Sequence, residues 1–182
     1  MRTVRPLSCV LALMNSGALF AGEHLVDADL IGAWKLVHTG IVTPDGRSYP
    51  VPNYGSDPHG YLIYDRSHVM CVFLAVGETR DPPPERYRNL MPSIPASYCA
   101  LWHIADDGQT VLHDVQVGND PALFRTTLRR TAARDGRMLT LRRDPVPDGL
   151  RDYFLTFERV NNEFLTLDRA GNEDVQRSGA QR

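Results

Sequence analysis

Short apolar segments, many alternating with polar residues, follow one another from Leu30 to about residue 160, and this pattern limits the fold more than any other feature. Alternation with a period of two predicts β-strands that bury one face. Asp135-Gly136, between two such segments, is a strong signal for a tight hairpin. The predicted strands cover residues 30–42, 60–64, 68–76, 97–105, 110–117, 124–133, 137–143 and 152–160.

Consecutive antiparallel strands of this number predict an all-β fold, an eight-stranded up-and-down antiparallel barrel over residues 28–160. If the first strand runs upward, the tight turns lie at the bottom and form a closed floor. Trp34 opens this strand and Arg159 ends the last one, so barrel closure predicts that the Arg159 guanidinium stacks over the Trp34 indole at the floor. The long connections then lie at the top and form a mouth, where barrels commonly bind ligands. These connections are residues 43–59, 77–96, 118–123 and 144–151.

The connection over residues 77–96 contains five prolines, which predict at most one short helix, around residues 85–90. Its apolar side chains Tyr87, Leu90 and Met91 have no core of their own. We therefore expect them to cover the mouth.

The two ends of the chain differ from the rest. Residues 1–21 begin with two arginines, continue with a short apolar segment and end with small residues, which is the order of a secretory signal peptide. The alternative is an uncleaved N-terminal arm. The apolar segment is too short to span a bilayer, and no later segment resembles a membrane span. The polar tail over residues 161–182 is expected to be partly disordered.

These ends and the cysteines bear on localisation. If residues 1–21 are a signal peptide, the protein is expected to be secreted or periplasmic. If they are not, it is expected to be cytoplasmic. Cys71 and Cys99 lie in apolar strand-like segments, which favours buried free thiols. A single disulfide in an oxidising compartment is the alternative.

Charge and motifs exclude several classes of function. A net charge of −2 and a pI near 6.3 give no electrostatic signature of nucleic-acid binding. The arginines over residues 125–143 are expected to form a solvated outer face, with Arg129 and Arg143 pointing outward; a patch for an anionic partner is the alternative. No Gly-x-Ser-x-Gly motif of a nucleophilic serine occurs. No glycine-rich phosphate loop and no zinc-ligand spacing occur either, so we expect no cofactor and no metal.

Several segments occur in an order that resembles the small, single-domain lipocalin-like family of bacteria and fungi. Gly32-x-Trp34 opens the first strand as in lipocalins, and residues 60–64, 111–113 and 157–160 follow in matching order. Ala100 and Trp102 depart from the family's Gly-x-Tyr pattern. The resemblance implies a barrel that holds a ligand. Some members are similar to binding proteins, and some biosynthetic members are similar to non-redox isomerases or cyclases.

Strand alternation also predicts which side chains face the interior. With Trp34 inward, His38 and His113 are the inward histidines, and either could serve as a general base beside Tyr98 near the mouth. The structural alternative is a hydrogen-bonded core histidine. The predicted ligand-binding residues are mainly apolar or aromatic: Leu36, Leu62, Leu74, Trp102, Val115, Phe124, Thr126, Tyr153 and Leu155.

Two functions remain open at this point. The first is binding of a small apolar or aromatic molecule by a cofactor-free isomerase or cyclase that acts on a biosynthetic intermediate. The second is a non-catalytic secreted or periplasmic carrier of such a molecule. A fully packed barrel with no cavity would exclude both.

Overall fold

A computed structural model of the chain describes residues 24–78, 80–90 and 95–161. Its strands form one antiparallel sheet in which each neighbours the next along the chain, apart from a two-residue strand at one edge. The first long strand also pairs with the last, which closes the predicted eight-stranded barrel. The strands are β1 Gly32–Val42, β2 Ser48–Tyr49, β3 Gly60–Tyr64, β4 Val69–Leu74, β5 Tyr98–Ile104, β6 Thr110–Gly118, β7 Thr127–Asp135, β8 Met138–Asp144 and β9 Asp152–Arg159.

Three elements lie outside the long strands. A single helical turn, α1 (Asp27–Leu30), precedes β1, and it occupies the start of the segment predicted as the first strand. A second turn, α2 (Glu85–Arg88), is the short helix predicted in the proline-rich connection. A 3₁₀ turn, Pro121–Leu123, delays the start of β7 to Thr127, three residues later than predicted. No helix among the described residues is long and apolar enough to cross a membrane.

The two ends of the barrel differ as the loop lengths predicted. The tight turns between β3 and β4, β5 and β6, and β7 and β8 lie together at the floor. Gly136 adopts a φ of +55° in the last of these turns, a conformation that glycine tolerates best. The longer connections lie together at the opposite end and form the mouth.

Trp34 and Arg159 close the floor. Trp34 is fully buried, and its indole Nε1 donates to the Leu30 carbonyl oxygen at 2.7 Å. The Arg159 guanidinium lies 4.6 Å from the centre of the Trp34 ring and donates to the Asp29 carbonyl oxygen at 2.9 Å. These two residues pair directly in the β1–β9 register, so the predicted contact between them is confirmed.

Replacing Arg159 by alanine is expected to lower the free energy of unfolding by roughly 0.5–2 kcal/mol, because the cation–π contact is lost. Urea denaturation at neutral pH measures this change. Arg66→Ala is the matched control, since Arg66 is an exposed arginine on the β3–β4 turn of the floor. An unchanged midpoint for Arg159→Ala would contradict a structural role for this residue.

Cys71 and Cys99 form a disulfide between β4 and β5. The prediction of buried free thiols is therefore wrong: the two cysteines are directly opposite each other in the register, and both lie on the outer face of the sheet. Around them the outer face of β3–β5 exposes several apolar side chains: Tyr61, Ile63, Val69, Phe73 and Leu101.

Removing this disulfide is expected to destabilise the barrel by about 2–4 kcal/mol, because the bond closes a long chain segment in the unfolded state. The Cys71→Ser/Cys99→Ser double variant is compared with the wild type by urea denaturation. The same comparison under reducing conditions is the control, where the difference between the two proteins should disappear. A difference that persists after full reduction would show that the serines, rather than the lost bond, cause the change.

Candidate ligand-binding cavity

A cavity of about 120 Å³ lies in the mouth half of the barrel. Its walls are mainly apolar, and the barrel strands supply Leu62, Val72, Leu74, Leu141, Leu155 and Phe157. Strand alternation turns these side chains inward, and the core below them is filled by Trp34, Tyr64 and Trp102. The barrel therefore has a packed floor and an open upper half.

Most of the predicted inward positions are inward, although not all of them reach the cavity. Leu62, Leu74, Tyr153 and Leu155 line it. By contrast, Leu36, Trp102 and Val115 are buried in the core and do not line the cavity. Side chains fill most of the interior of an eight-stranded barrel, so an inward position is not by itself a ligand contact.

Trp102, where the chain departs from the family pattern, belongs to the floor. Its indole Nε1 donates to the Asp65 carbonyl oxygen at 3.3 Å, and its ring contacts Tyr64 edge-on at 5.0 Å. The residue two positions earlier, Ala100, is also buried. The bulky indole therefore fills the lower interior on this side of the barrel, below the cavity.

The prediction that His38 points inward is wrong. The β1–β9 register shifts between Leu36 and His38, and this β-bulge reverses the alternation for the rest of β1. His38 therefore lies exposed on the outer face, where its ring is 5.6 Å from that of Phe154. Thr39 takes the inward position instead.

Phe124 and Thr126 are also misplaced by the sequence prediction. Both precede β7 and lie in the loop after the 3₁₀ turn, where Arg125 has a φ of +59°. Phe124 is 52% exposed, and the Arg125 guanidinium stacks on its outer surface. The Thr126 hydroxyl donates to the carbonyl oxygen of Leu123 at 2.7 Å, and Leu123, within the 3₁₀ turn, lines the cavity.

His113 is the inward histidine that the structure retains. It is buried on β6, lines the cavity and lies between two tyrosines. Its Nε2 is 2.8 Å from the Tyr64 hydroxyl, and its Nδ1 is 3.0 Å from the Tyr98 hydroxyl. Burial, aided by the positive charge of Arg130, lowers the pKa of His113 to about 3, so the ring is neutral at pH 7.

The proton positions in this triad follow from hydrogen-bond satisfaction. A neutral imidazole has one N–H donor and one acceptor nitrogen, so one tyrosine donates to the ring and the other accepts from it. The fully buried Tyr64 hydroxyl has no second partner among the described residues, and a buried unpaired donor is costly. Tyr64 therefore donates to Nε2, and Nδ1–H of His113 donates to Tyr98.

In this arrangement the hydroxyl proton of Tyr98 is not donated to His113, so it can be donated to a molecule in the cavity. The Tyr98 oxygen accepts from His113 Nδ1–H at 3.0 Å, and the positive charge of Arg130 acts to lower the pKa of Tyr98. Burial nevertheless raises the pKa of Tyr98, so its hydroxyl stays protonated at neutral pH. Since Tyr98 lines the cavity, its O–H is available to an acceptor on a bound molecule.

Four polar cavity residues were missed or misplaced by sequence reasoning. Tyr54 and Asp120 come from the mouth loops, where no strand alternation exists to predict an orientation. Arg130 was not among the predicted ligand-binding residues, although it shares the parity of Leu128 on β7 and lines the cavity. Arg143 was expected to point outward; it shares the parity of Leu141 on β8 and lines the cavity rim instead.

The proline-rich connection contributes less to the cavity than expected. Tyr87 is buried and Leu90 is partly exposed, but of this segment only Ala96 lines the cavity among the described residues. Met91 lies outside the described residues. Covering of the mouth by this segment stays a prediction.

The described residues do not place three His, Cys, Asp or Glu side chains close enough together to hold a metal ion.

Comparison with known proteins agrees with this architecture. The family model for a lipocalin-like domain matches residues 31–160, which span β1 to the end of β9. No curated protein matches the chain. Because the match covers well over half of the sequence and coincides with the closed barrel, the protein belongs to the lipocalin-like domain family.

Proposed function

We propose that the protein binds a small, largely apolar or aromatic molecule in the cavity of the barrel. One observation carries this proposal: the mouth half of the interior is unfilled and apolar, whereas the floor half is packed. Apolar clefts with a few polar groups are the usual sites for small ligands. The hydroxyl of Tyr98 and the guanidinium groups of Arg130 and Arg143 are such polar groups here.

Native mass spectrometry of protein purified from its own host tests this proposal. We expect the wild type to carry a small molecule that is released on denaturation. Leu155→Trp, which places an indole in the cavity, should abolish this adduct. The matched control is Leu101→Trp on the outer face, where the native leucine is 46% exposed. An adduct that survives in Leu155→Trp, or is absent from the wild type, would contradict binding in the cavity.

A second candidate function is cofactor-free isomerisation or cyclisation of the bound molecule. The observation that favours it is the triad of Tyr64, His113 and Tyr98 at the cavity wall. Both ring nitrogens of His113 are occupied by tyrosines, so Tyr98 is the group that would touch a ligand. Its O–H would stabilise negative charge on a ligand oxygen, while His113 is a positioning residue behind it.

Isomerisation conserves mass, and this property provides the test. The ligand that co-purifies with the wild type is compared by chromatography with the ligand that co-purifies with Tyr98→Phe. Catalysis predicts two isomers of equal mass, because the variant retains the unconverted compound. A carrier predicts the same compound in both proteins.

We further propose that the protein is exported to the periplasm or the medium. The Cys71–Cys99 disulfide supports this proposal, because disulfides persist mainly in oxidising compartments. The mass of the mature protein tests it: cleavage within or directly after residues 1–21 is expected. An uncleaved protein in the cytoplasm, with Cys71 and Cys99 both reduced, would contradict it.

A further inference from the structure

We propose that the ligand carries an acidic oxygen group, most simply a carboxylate, which Arg130 and Arg143 bind at the upper wall of the cavity. This inference rests on the proposed binding function and names the class of molecule that is bound. It is carried by the charges and hydrogen-bond donors that face the cavity.

The two arginines face each other without a counter-ion. Arg130 on β7 and Arg143 on β8 are direct partners in the strand register, and both line the cavity. Like charges directly opposite each other in a sheet are destabilising. No carboxylate lies within ion-pair distance of either guanidinium in the described part of the chain.

The outward arginines on the same two strands behave differently. Arg129 Nε lies 2.9 Å from an Asp144 carboxylate oxygen, and Arg142 Nε lies 3.0 Å from an Asp152 carboxylate oxygen. The chain thus supplies carboxylates to its outer arginines. The inner pair is left for an anion that comes from elsewhere.

The tyrosines of the cavity add further donors. Tyr98 has an O–H proton to donate once its oxygen accepts from His113. Tyr54 and Tyr153 also line the cavity, and burial raises the pKa of both, so their hydroxyls keep their protons at neutral pH and can donate. Asp120 is the carboxylate on the described cavity wall, and its Oδ1 accepts from the Ala122 N–H of the 3₁₀ turn.

Donors therefore outnumber acceptors around an apolar space. The N–H donors of one guanidinium form a fork that matches the two oxygens of a carboxylate, and a second guanidinium and a phenol add further donors. The complementary molecule has an apolar or aromatic body and an acidic oxygen group at one end. The two positive charges disfavour an amine at this end of the cavity.

A set of three probes that differ in one group tests this inference: trans-cinnamate, cinnamamide and cinnamylamine. Binding to the purified full-length protein is measured by isothermal titration calorimetry at pH 7. Cinnamate is expected to bind about tenfold or more tightly than the amide, because charged hydrogen bonds are stronger than neutral ones. The amine is expected to bind most weakly.

Variants assign this preference to the two arginines. Arg143→Met and Arg130→Met should each remove most of the preference for cinnamate over cinnamamide. Arg143 is exposed at the rim, so its variant tests the inference even if Arg130→Met fails to fold. Arg129→Met, an outward position on β7, is the matched control and should keep the wild-type preference.

The outcomes separate the two proposals. Equal affinities for cinnamate and cinnamamide, or a preference unchanged in both inner-arginine variants, would overturn the anionic-ligand inference while the binding function stands. If none of the three probes binds, the proposed binding function fails and the inference fails with it.

Discussion

Between pH 6 and pH 4, the wild-type barrel is expected to lose up to about 1.4 kcal/mol of unfolding free energy per pH unit through His113 alone. The folded pKa of His113 is lowered to about 3 by burial. The unfolded chain takes up a proton below about pH 6.5, whereas the folded ring stays neutral. The unfolded state thus binds more protons in this window, so stability falls as the pH falls.

The variant His113→Gln isolates this contribution, because glutamine keeps a donor and an acceptor but does not titrate. Urea denaturation of both proteins from pH 7 to pH 4 gives the two slopes. The variant should lack the part of the slope that His113 contributes. His38→Gln, an exchange of the same chemistry on the exposed outer face, is the control. Parallel slopes for the wild type and His113→Gln would show that His113 is not held neutral in the fold.

Replacing Trp34 by alanine is expected to lower the free energy of unfolding by about 3–5 kcal/mol, the usual cost of removing a buried aromatic side chain. Trp34 is fully buried, pairs with Leu62 on β3 and with Arg159 on β9, and so lies where the barrel closes. Its removal opens the floor and leaves the Leu30 carbonyl without its donor.

Urea denaturation followed by far-UV circular dichroism measures the loss. The control is Val37→Ala on the same strand, where the side chain lies on the exposed face. Its effect should be small by comparison. A Trp34→Ala loss no larger than that of Val37→Ala would contradict a structural floor.

Sequence pattern predicted the fold well because a barrel is built from regular strands. Alternation identified the barrel strands, the closure between β1 and β9, and the contact of Trp34 with Arg159. The same regularity explains why His113 was placed correctly: β6 has no irregularity between His113 and the floor.

Three of the errors, at His38, Phe124 and Tyr54, arose where regularity stops. A bulge of one residue reversed the orientation of His38, and bulges leave no clear signal in a single sequence. The 3₁₀ turn moved Phe124 out of a strand. Tyr54 reaches the cavity from a loop, where orientation depends on tertiary contacts rather than on alternation. The side chains that the barrel strands contribute to the cavity could thus largely be predicted, but those at its rim could not.

Intermolecular nuclear Overhauser effects between bound trans-cinnamate and the methyl groups of the barrel test the central claim, a ligand site in the mouth half of the interior. We predict contacts from the aromatic protons of cinnamate to the methyl groups of Leu62, Leu141 and Leu155, which line the cavity. The outer face of β3–β5 is the competing apolar surface, with Ile63 and Leu101 exposed. Contacts to these two residues, with none to the three cavity leucines, would contradict the account.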